Sequence, residues 1–148
     1  VERYKVETKV KYTVVIGRSH IGGRPMSILM SRKGWPGNST VNLTHSNTKN
    51  ITQIISQADI VISALGVPNF LKAEMVKDDA VIIDVGITRV EDLSKPKGYR
   101  IVGDVDFDGV SKKASFITPV PGGVGPMTIA MLLKNTLLAR EQRAISKN

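Results

Sequence analysis

The stretch from Thr13 to Pro25, TVVIGRSHIGGRP, decides the fold. Its first four residues form an apolar, mostly β-branched run that stops at Gly17, and a helical pattern begins near Pro25. We therefore predict a buried strand, a tight turn and the N-terminus of a helix. Such a turn gathers unpaired backbone N–H groups at the positive end of the helix, where a phosphate or pyrophosphate can bind.

The glycines of this stretch do not follow the usual dinucleotide pattern G-x-G-x-x-G. Arg18 and Ser19 follow Gly17, and the next glycines are Gly22 and Gly23. Many α/β domains that bind no nucleotide also contain a strand, a glycine turn and a helix. The turn alone therefore leaves both interpretations open.

The amino-acid composition limits the classes of protein to which this chain can belong. A chain of 148 residues fits one domain, and the absence of cysteine excludes disulfides and thiolate chemistry. The two histidines have no ligand spacing, so we predict no metal site. The longest apolar runs are too short for a membrane helix. We expect a soluble, cytoplasmic protein.

The net charge of +8, from 21 basic and 13 acidic residues, favours an anionic partner. Nucleic acid and a phosphate-rich small molecule both satisfy this charge. The basic residues are dispersed and no nucleic-acid-binding motif is present, so we predict no nucleic-acid partner. A non-catalytic basic domain that holds nucleic acid or another protein remains the alternative.

Strands alternate with helices along the chain, which predicts a Rossmann-like, doubly wound, mostly parallel α/β sheet with helices on both faces. The predicted strands are 12–16, 40–44, 59–65, 80–85, 100–105 and 115–118. The predicted helices are 25–32, 47–57, 72–77 and 126–143, and 89–98 is interpreted as a solvated loop. Parallel sheets bind ligands at the carboxyl ends of their strands. The rim of one crevice is therefore expected at 17–19, 44–48, 64–68, 85–88 and 118–125.

The end of the second strand indicates which dinucleotide fits. NAD-binding domains commonly place an acid there, and residues 43–49 contain none. His45 and Ser46 stand there instead, and Arg18 from the first turn could reach the same place. Guanidinium and hydroxyl groups suit the extra phosphate of NADP. Alternatively, His45 and Ser46 merely cap a helix that begins near Asn47.

Three further polar residues are interpreted without a catalytic role. Asp84 and Asp104 end strands but are equally typical of turns, where their carboxylates bond nearby N–H groups. His20 is interpreted as an exposed loop residue. No serine, histidine and aspartate share a spacing that indicates a catalytic triad.

The stretch TPVPGGVGPMT, residues 118–128, is the second informative one. Its prolines and glycines predict a loop of fixed and unusual path that leads into a helix. That helix is apolar almost all round, so we expect it to pack against a second body as well as the sheet.

Through these two stretches and several shorter motifs, residues 13–139 resemble the nucleotide-binding half of bifunctional methylenetetrahydrofolate dehydrogenase/methenyltetrahydrofolate cyclohydrolase. The matching motifs are, in order, Gly17-Arg18-Ser19 with Gly23 and Pro25, His45-Ser46 with Thr48, Asp84-Val85-Gly86-Ile87, Gly103-Asp104-Val105, and 119–128. The chain departs from the family at Gly22, where valine is usual, and lacks an expected glycine before Thr13.

The resemblance implies an NADP-dependent oxidoreductase and hydrolase of folate one-carbon metabolism, linked to purine biosynthesis. It implies cofactor contacts at Gly17, Arg18, Ser19, Ser46 and Ile87. It implies that the folate is bordered by Pro121, Gly122, Gly123, Val124, Gly125, Pro126, Met127, Thr128 and Ile129.

The family's catalytic tyrosine and lysine belong to an N-terminal domain that has no counterpart in this chain. Residues 1–148 are then one NADP-binding domain, without catalytic residues and inactive alone, from a protein that is a homodimer at full length. A different Rossmann-type dehydrogenase that shares only the sheet is a further alternative.

Overall fold

The computed structural model describes residue 1 and residues 4–145. The strands are β1 (Tyr12–Ile16), β2 (Thr40–Thr44), β3 (Ile60–Ser63), β4 (Val81–Asp84), β5 (Thr88–Glu91), β6 (Tyr99–Val102) and β7 (Phe116–Ile117). The helices are α1 (Gly23–Ser31), α2 (Ile51–Ile55), α3 (Phe107–Val110) and α4 (Val124–Ile145), with a single 3₁₀ turn at Ala73–Met75.

Five strands form one parallel sheet in the order β2-β1-β3-β4-β7. The chain runs from β1 outward to the edge strand β2, crosses back to β3 on the other side of β1, and continues through β4 to β7. This reversal beside β1 is the topological switch point at which such sheets form a ligand crevice. The predicted α/β, mostly parallel architecture is confirmed.

Residues of β1 alternate between two apolar clusters, as the pleat of a strand requires. Val14 and Ile16 join the larger cluster, which contains Ile55 of α2 and Val110 of α3. Val15 joins a smaller cluster that contains Met30 of α1. On this second face several residues of β4 and its end are only partly buried: Val81, Ile83 and Val85. The sheet is therefore covered thoroughly on one face and incompletely on the other.

Helix boundaries differ from the predicted ones at their N-termini. Helix α1 begins at Gly23, before the proline that suggested its start, and α4 begins at Val124. Helix α2 begins at Ile51 rather than residue 47. The reason is a turn in which the His45 N–H donates to Thr48 Oγ1 at 2.9 Å, followed by Asn50 in the left-handed region with a φ of 55°.

The predicted solvated loop at 89–98 is wrong, because it contains most of β5, whereas the strand predicted at 100–105 is present as β6 but lies outside the parallel sheet. Strands β5 and β6 instead pair antiparallel in a separate two-stranded hairpin, with Thr88 opposite Val102. The Arg89 guanidinium lies 4.9 Å from the centre of the Tyr99 ring. The charged composition of 89–98 hid β5, because none of the residues of this strand is fully buried and the segment therefore lacks the apolar pattern of a buried strand.

Helix α4 is exposed from residue 126 to residue 144. Its large apolar side chains at Ile129, Leu132 and Leu133 are each about two-thirds exposed, at 66%, 66% and 68%. Within the described part of the chain, no helix has both the length and the hydrophobicity needed to cross a membrane. The expected packing of this helix on the sheet is wrong, because none of its described residues joins either apolar cluster. The expected second packing partner stays a prediction, which the exposed apolar surface supports.

Candidate functional site

The first turn, which follows β1, is closely packed against the turn after β3. Gly17 has a φ of 111°, and a Cβ there would lie 2.2 Å from the carbonyl oxygen of Ala64. A Cβ on Gly23 would lie 1.7 Å from the carbonyl oxygen of Gly17. Both glycines are therefore required by contact between backbones, and Gly17 also by its left-handed conformation.

Hydrogen-bond donors remain available at this turn. The backbone N–H groups of Arg18, Ser19 and His20 have no acceptor among the described residues. Ser19 instead orders the turn: its Oγ accepts from the Gly22 N–H at 3.1 Å, and its carbonyl oxygen accepts from the Arg24 N–H. No acidic residue lies in the first turn of α1. The turn therefore presents N–H groups and positive charge suited to an anion.

The turn after β2 lies beside the first turn. Ile16 is opposite Thr44 in the sheet, and the Gly17 N–H donates to the Thr44 carbonyl oxygen at 2.9 Å. Arg18 and Ser46 therefore follow adjacent, paired strands, and both are exposed. This edge of the sheet therefore carries the basic side chain of Arg18 and the hydroxyl of Ser46. Residues 43–49 contain no acid.

The alternative interpretation of this turn, that His45 and Ser46 cap a helix, is wrong. The cap residue of α2 is Asn50, which makes no side-chain capping bond. The His45 ring accepts from the Asn47 N–H through Nδ1 at 3.2 Å, which stabilises the turn itself. The Ser46 hydroxyl makes only a long contact of 3.5 Å, to Asn47 Oδ1. The serine remains available to a ligand.

Two buried carboxylates connect the remaining strand ends. Asp104 Oδ2 accepts from the N–H groups of Leu65 at 2.7 Å and Gly66 at 3.0 Å, and from the Ser63 hydroxyl. Asp84 accepts from the N–H groups of Gly86 at 2.8 Å, Asp104 at 3.1 Å and Val105 at 3.0 Å. These bonds hold together the turn after β3, the end of β4 and the segment after β6.

The interpretation of these aspartates as turn residues holds for the bond that the Gly86 N–H donates to Asp84 Oδ1, but it misses the long-range bonds. Burial raises the pKa of Asp84, and the negative charge of Asp104 adds to this, against the opposing effect of the three N–H donors. A glycine close in sequence to each aspartate leaves room for the carboxylate of the other. A Cβ on Gly86 would lie 2.2 Å from Asp104 Oδ1, and one on Gly103 would lie 1.9 Å from Asp84 Oδ2.

A cavity of about 470 Å³ opens between the end of β4 and the proline and glycine loop before α4. Its lining includes Asp84, Ile87 and Ile101, together with residues 119–126, 128 and 129. Of the residues expected at the folate, Pro121, Gly122, Gly123, Val124, Gly125, Pro126, Thr128 and Ile129 line this cavity. Met127, the remaining residue expected at the folate, does not line it.

The site residues expected from the sequence fall into two groups at the same edge of the sheet. Gly17, Arg18, Ser19 and Ser46 surround the first two turns, whereas Ile87 lies at the cavity. Ile87 is 66% exposed, so an apolar side chain is presented to any ligand that extends from the turns into the cavity. Among residues 1 and 4–145, no three histidine or acidic side chains are grouped as metal ligands.

Comparison with known proteins gives a match over nearly the whole chain. Residues 1–144 match the family model described as tetrahydrofolate dehydrogenase/cyclohydrolase, NAD(P)-binding domain. The bifunctional protein FolD of Flavobacterium psychrophilum is 81% identical over 145 residues, which cover 98% of this chain and 49% of that protein. FolD of Bacteroides fragilis is 60% identical over 138 residues, which cover 93% of this chain and 47% of that protein. The chain thus spans about half the length of the curated relatives it matches.

Solved structures show the same relation. The Trypanosoma brucei N5,N10-methylenetetrahydrofolate dehydrogenase-cyclohydrolase, complexed with NADP cofactor and inhibitor, matches with a TM-score of 0.90 and 46% identity over 97% of this chain and 48% of its own. The bifunctional FolD enzyme of Campylobacter jejuni matches with a TM-score of 0.85 and 46% identity, over 96% of this chain and 47% of that one.

Proposed function

Since this chain belongs to the tetrahydrofolate dehydrogenase/cyclohydrolase family, as its NAD(P)-binding domain, we propose that residues 1–148 are the NADP-binding domain of a bifunctional enzyme. The full protein would oxidise methylenetetrahydrofolate with NADP and hydrolyse the methenyl product to formyltetrahydrofolate. One observation supports the proposal beyond family membership: a turn with free N–H groups, an acid-free end of the second strand and an apolar cavity lie along one edge of the sheet.

The residues present fit NADP. The free N–H groups after Gly17 would hold the pyrophosphate, with Ser19 keeping the turn in shape. Arg18 and Ser46 would hold the additional phosphate of the adenosine ribose, because a guanidinium and a hydroxyl can both donate to phosphate oxygens. NAD lacks that phosphate, so we infer a preference for NADP.

The cavity would receive the nicotinamide end of the cofactor and border the folate. When bound, the cofactor supplies the acceptor for a hydride. The chain supplies position: Ile87 and the loop residues 121–126, 128 and 129 enclose an apolar space that limits the access of water. Met127 is retained among the proposed folate contacts only through the family resemblance.

This domain contributes no catalytic side chain in the proposal. Its buried carboxylates already accept several backbone N–H groups, and His20 is exposed and paired with Arg24 at 3.1 Å. We infer that the acid and base groups lie in the other half of the full-length protein. The exposed apolar side of α4 and the incompletely covered face of the sheet give that half a surface to pack on.

The full-length protein is proposed to be a cytoplasmic homodimer. The β5–β6 hairpin supports a second copy, because an isolated two-stranded hairpin has little stability of its own. Between its two strands, the apolar side chain of Leu93 is 92% exposed. A measurement of molar mass by light scattering on the full-length protein distinguishes a dimer from a monomer.

The proposed division of labour is tested with the 148-residue chain and the full-length protein. We expect the short chain to bind NADP in a calorimetric titration and to show neither dehydrogenase nor cyclohydrolase turnover. The full-length protein should show both activities. Cyclohydrolase turnover by the short chain would contradict the proposal. The basic nucleic-acid-binding alternative and the unrelated dehydrogenase are not favoured, because the family match extends over residues 1–144.

A further inference from the structure

Asp84 and Asp104 form a buried acidic pair without a cationic partner. Their relative exposures are 3% and 0%. The ion pairs among the described residues are Lys72–Asp106, Lys77–Asp59, Arg100–Asp92 and Lys113–Asp78, and they include neither aspartate. Buried carboxylates are normally matched by a cation or a metal as well as by hydrogen bonds. This pair has only the hydrogen bonds.

One oxygen of the pair lacks even a hydrogen bond. Asp104 Oδ1 is buried and has no partner among the described residues, whereas its other oxygen accepts from Leu65, Gly66 and Ser63. The free oxygen is directed at Gly86, where a Cβ would lie 2.2 Å from it. Gly86 lines the cavity beside Asp84. An unbalanced negative charge therefore lies immediately behind the cavity wall.

The apolar lining of the cavity leaves the negative charge of the two aspartates unscreened by any basic residue. The rest of the cavity lining is formed mainly by proline, glycine, valine and isoleucine, and none of its residues is basic. A charge acts over a longer distance in such an apolar environment than in water. The cavity is therefore more favourable to a cation than to a neutral group of the same shape.

We propose that Asp84 and Asp104 make this cavity selective for a flat cationic ring, the oxidised nicotinamide of NADP⁺, over the uncharged ring of NADPH. The two forms of the cofactor carry the same phosphates and differ in the charge of this ring. The aspartates act as specificity-determining residues through the field at the cavity. This inference rests on the proposed function.

The test measures Kd for NADP⁺ and for NADPH separately, by calorimetry on the 148-residue chain. The variants are Asp84→Asn and Asp104→Asn, which remove one charge each while keeping side-chain size. The control is Asp79→Asn, which removes one charge from an exposed residue at the amino ends of the strands. We expect the ratio of Kd for NADP⁺ to Kd for NADPH to rise about tenfold in the two variants and to stay constant in the control.

The outcomes separate this proposal from others. Equal weakening of both forms would show that the aspartates only shape the rim, and an unchanged ratio with intact affinity would show that their charge does not reach the ring. Either result overturns the inference while leaving the proposed function in place. If the unmutated chain bound neither form, the proposed function itself would fail.

A second measurement applies if the variants do not fold. In the unmutated chain, the same ratio is measured from pH 4 to pH 8. Asp104 is the ionisable group in contact with Asp84, and any change in how the shared phosphates are held affects both cofactor forms alike and cancels in the ratio. We expect the preference for NADP⁺ to weaken on acidification, because the Asp84 carboxylate gains a proton and loses the negative charge that attracts the cationic ring. A ratio that does not vary with pH would contradict the proposal.

Discussion

Val10 is the residue whose replacement we expect to stabilise this chain. Its φ is 63°, in the left-handed region that β-branched residues rarely adopt, because the branched Cβ crowds the backbone there. Its side chain is 84% exposed. The strain is therefore not offset by buried apolar contacts, and glycine, which the family resemblance leads one to expect in this segment, would remove it.

The size of the effect follows from two opposing contributions. A non-glycine residue in the left-handed region costs on the order of 1–3 kcal/mol. Glycine also loosens the unfolded chain, which costs about 0.4–1 kcal/mol of stability. The bond from the residue-10 N–H to the Asn38 carbonyl oxygen, 3.2 Å long, does not involve the side chain. We expect Val10→Gly to raise the free energy of unfolding by about 1 kcal/mol.

Urea unfolding followed by circular dichroism measures this change, and the melting temperature should rise by roughly 2–4 °C. Val10→Ala is the matched control, because it keeps a Cβ and should recover only part of the gain. A Val10→Gly chain that is equally stable or less stable than the original would refute the reasoning, since it would mean that the left-handed backbone carries no net cost.

Three further changes test other parts of the structure. Gly23→Ala should cost about 1–3 kcal/mol or more and abolish NADP binding in calorimetry, because the added Cβ would lie 1.7 Å from the Gly17 carbonyl oxygen; retained affinity would contradict the close packing. Leu132→Lys should change the unfolding free energy of this chain by less than about 0.5 kcal/mol, because the side chain is 66% exposed, but should destabilise the full-length protein. The bond from Lys77 lowers the pKa of Asp59, so this pair contributes stability above pH 3.8 that is lost as the pH falls through the lower folded-state pKa. Lys77→Met should therefore lower stability at neutral pH, and acid unfolding curves should converge with those of the original chain at the lowest pH; a constant difference would contradict the ion pair.

The sheet could be predicted from the sequence because its strands carry local signals. The runs at Val14–Ile16 and Ile60–Ile62 are continuously apolar, as strands buried on both faces require. The glycines that follow them mark the turns at the carboxyl ends. The crevice rim follows from the strand directions alone, since parallel strands place all their carboxyl ends at one edge.

Long-range contacts were beyond the reach of sequence patterns. Asp104 bonds the N–H groups of Leu65 and Gly66, almost forty residues away, and nothing near Asp104 in the sequence indicates that pairing. Strand β5 and its antiparallel pairing with β6 were missed because this pairing, rather than a buried face, defines β5. Helix α2 was placed too early because His45 and Thr48 form a turn stabilised by side chains, which resembles the start of a helix.

The central claim is that the turns after β1 and β2 form a pocket for the additional phosphate of NADP. Calorimetric titration of the 148-residue chain with NADP and with NAD tests it most directly. Calorimetry is preferred to tryptophan fluorescence because Trp35 lies beyond the C-terminus of α1 and would report weakly on the crevice. The variants are Arg18→Ala and, as a control, Arg32→Ala at the other end of that helix. We predict that NADP binds about tenfold or more tightly than NAD, and that only Arg18→Ala removes the difference. Equal affinity for the two cofactors, or a preference unaffected by Arg18→Ala, would contradict the account.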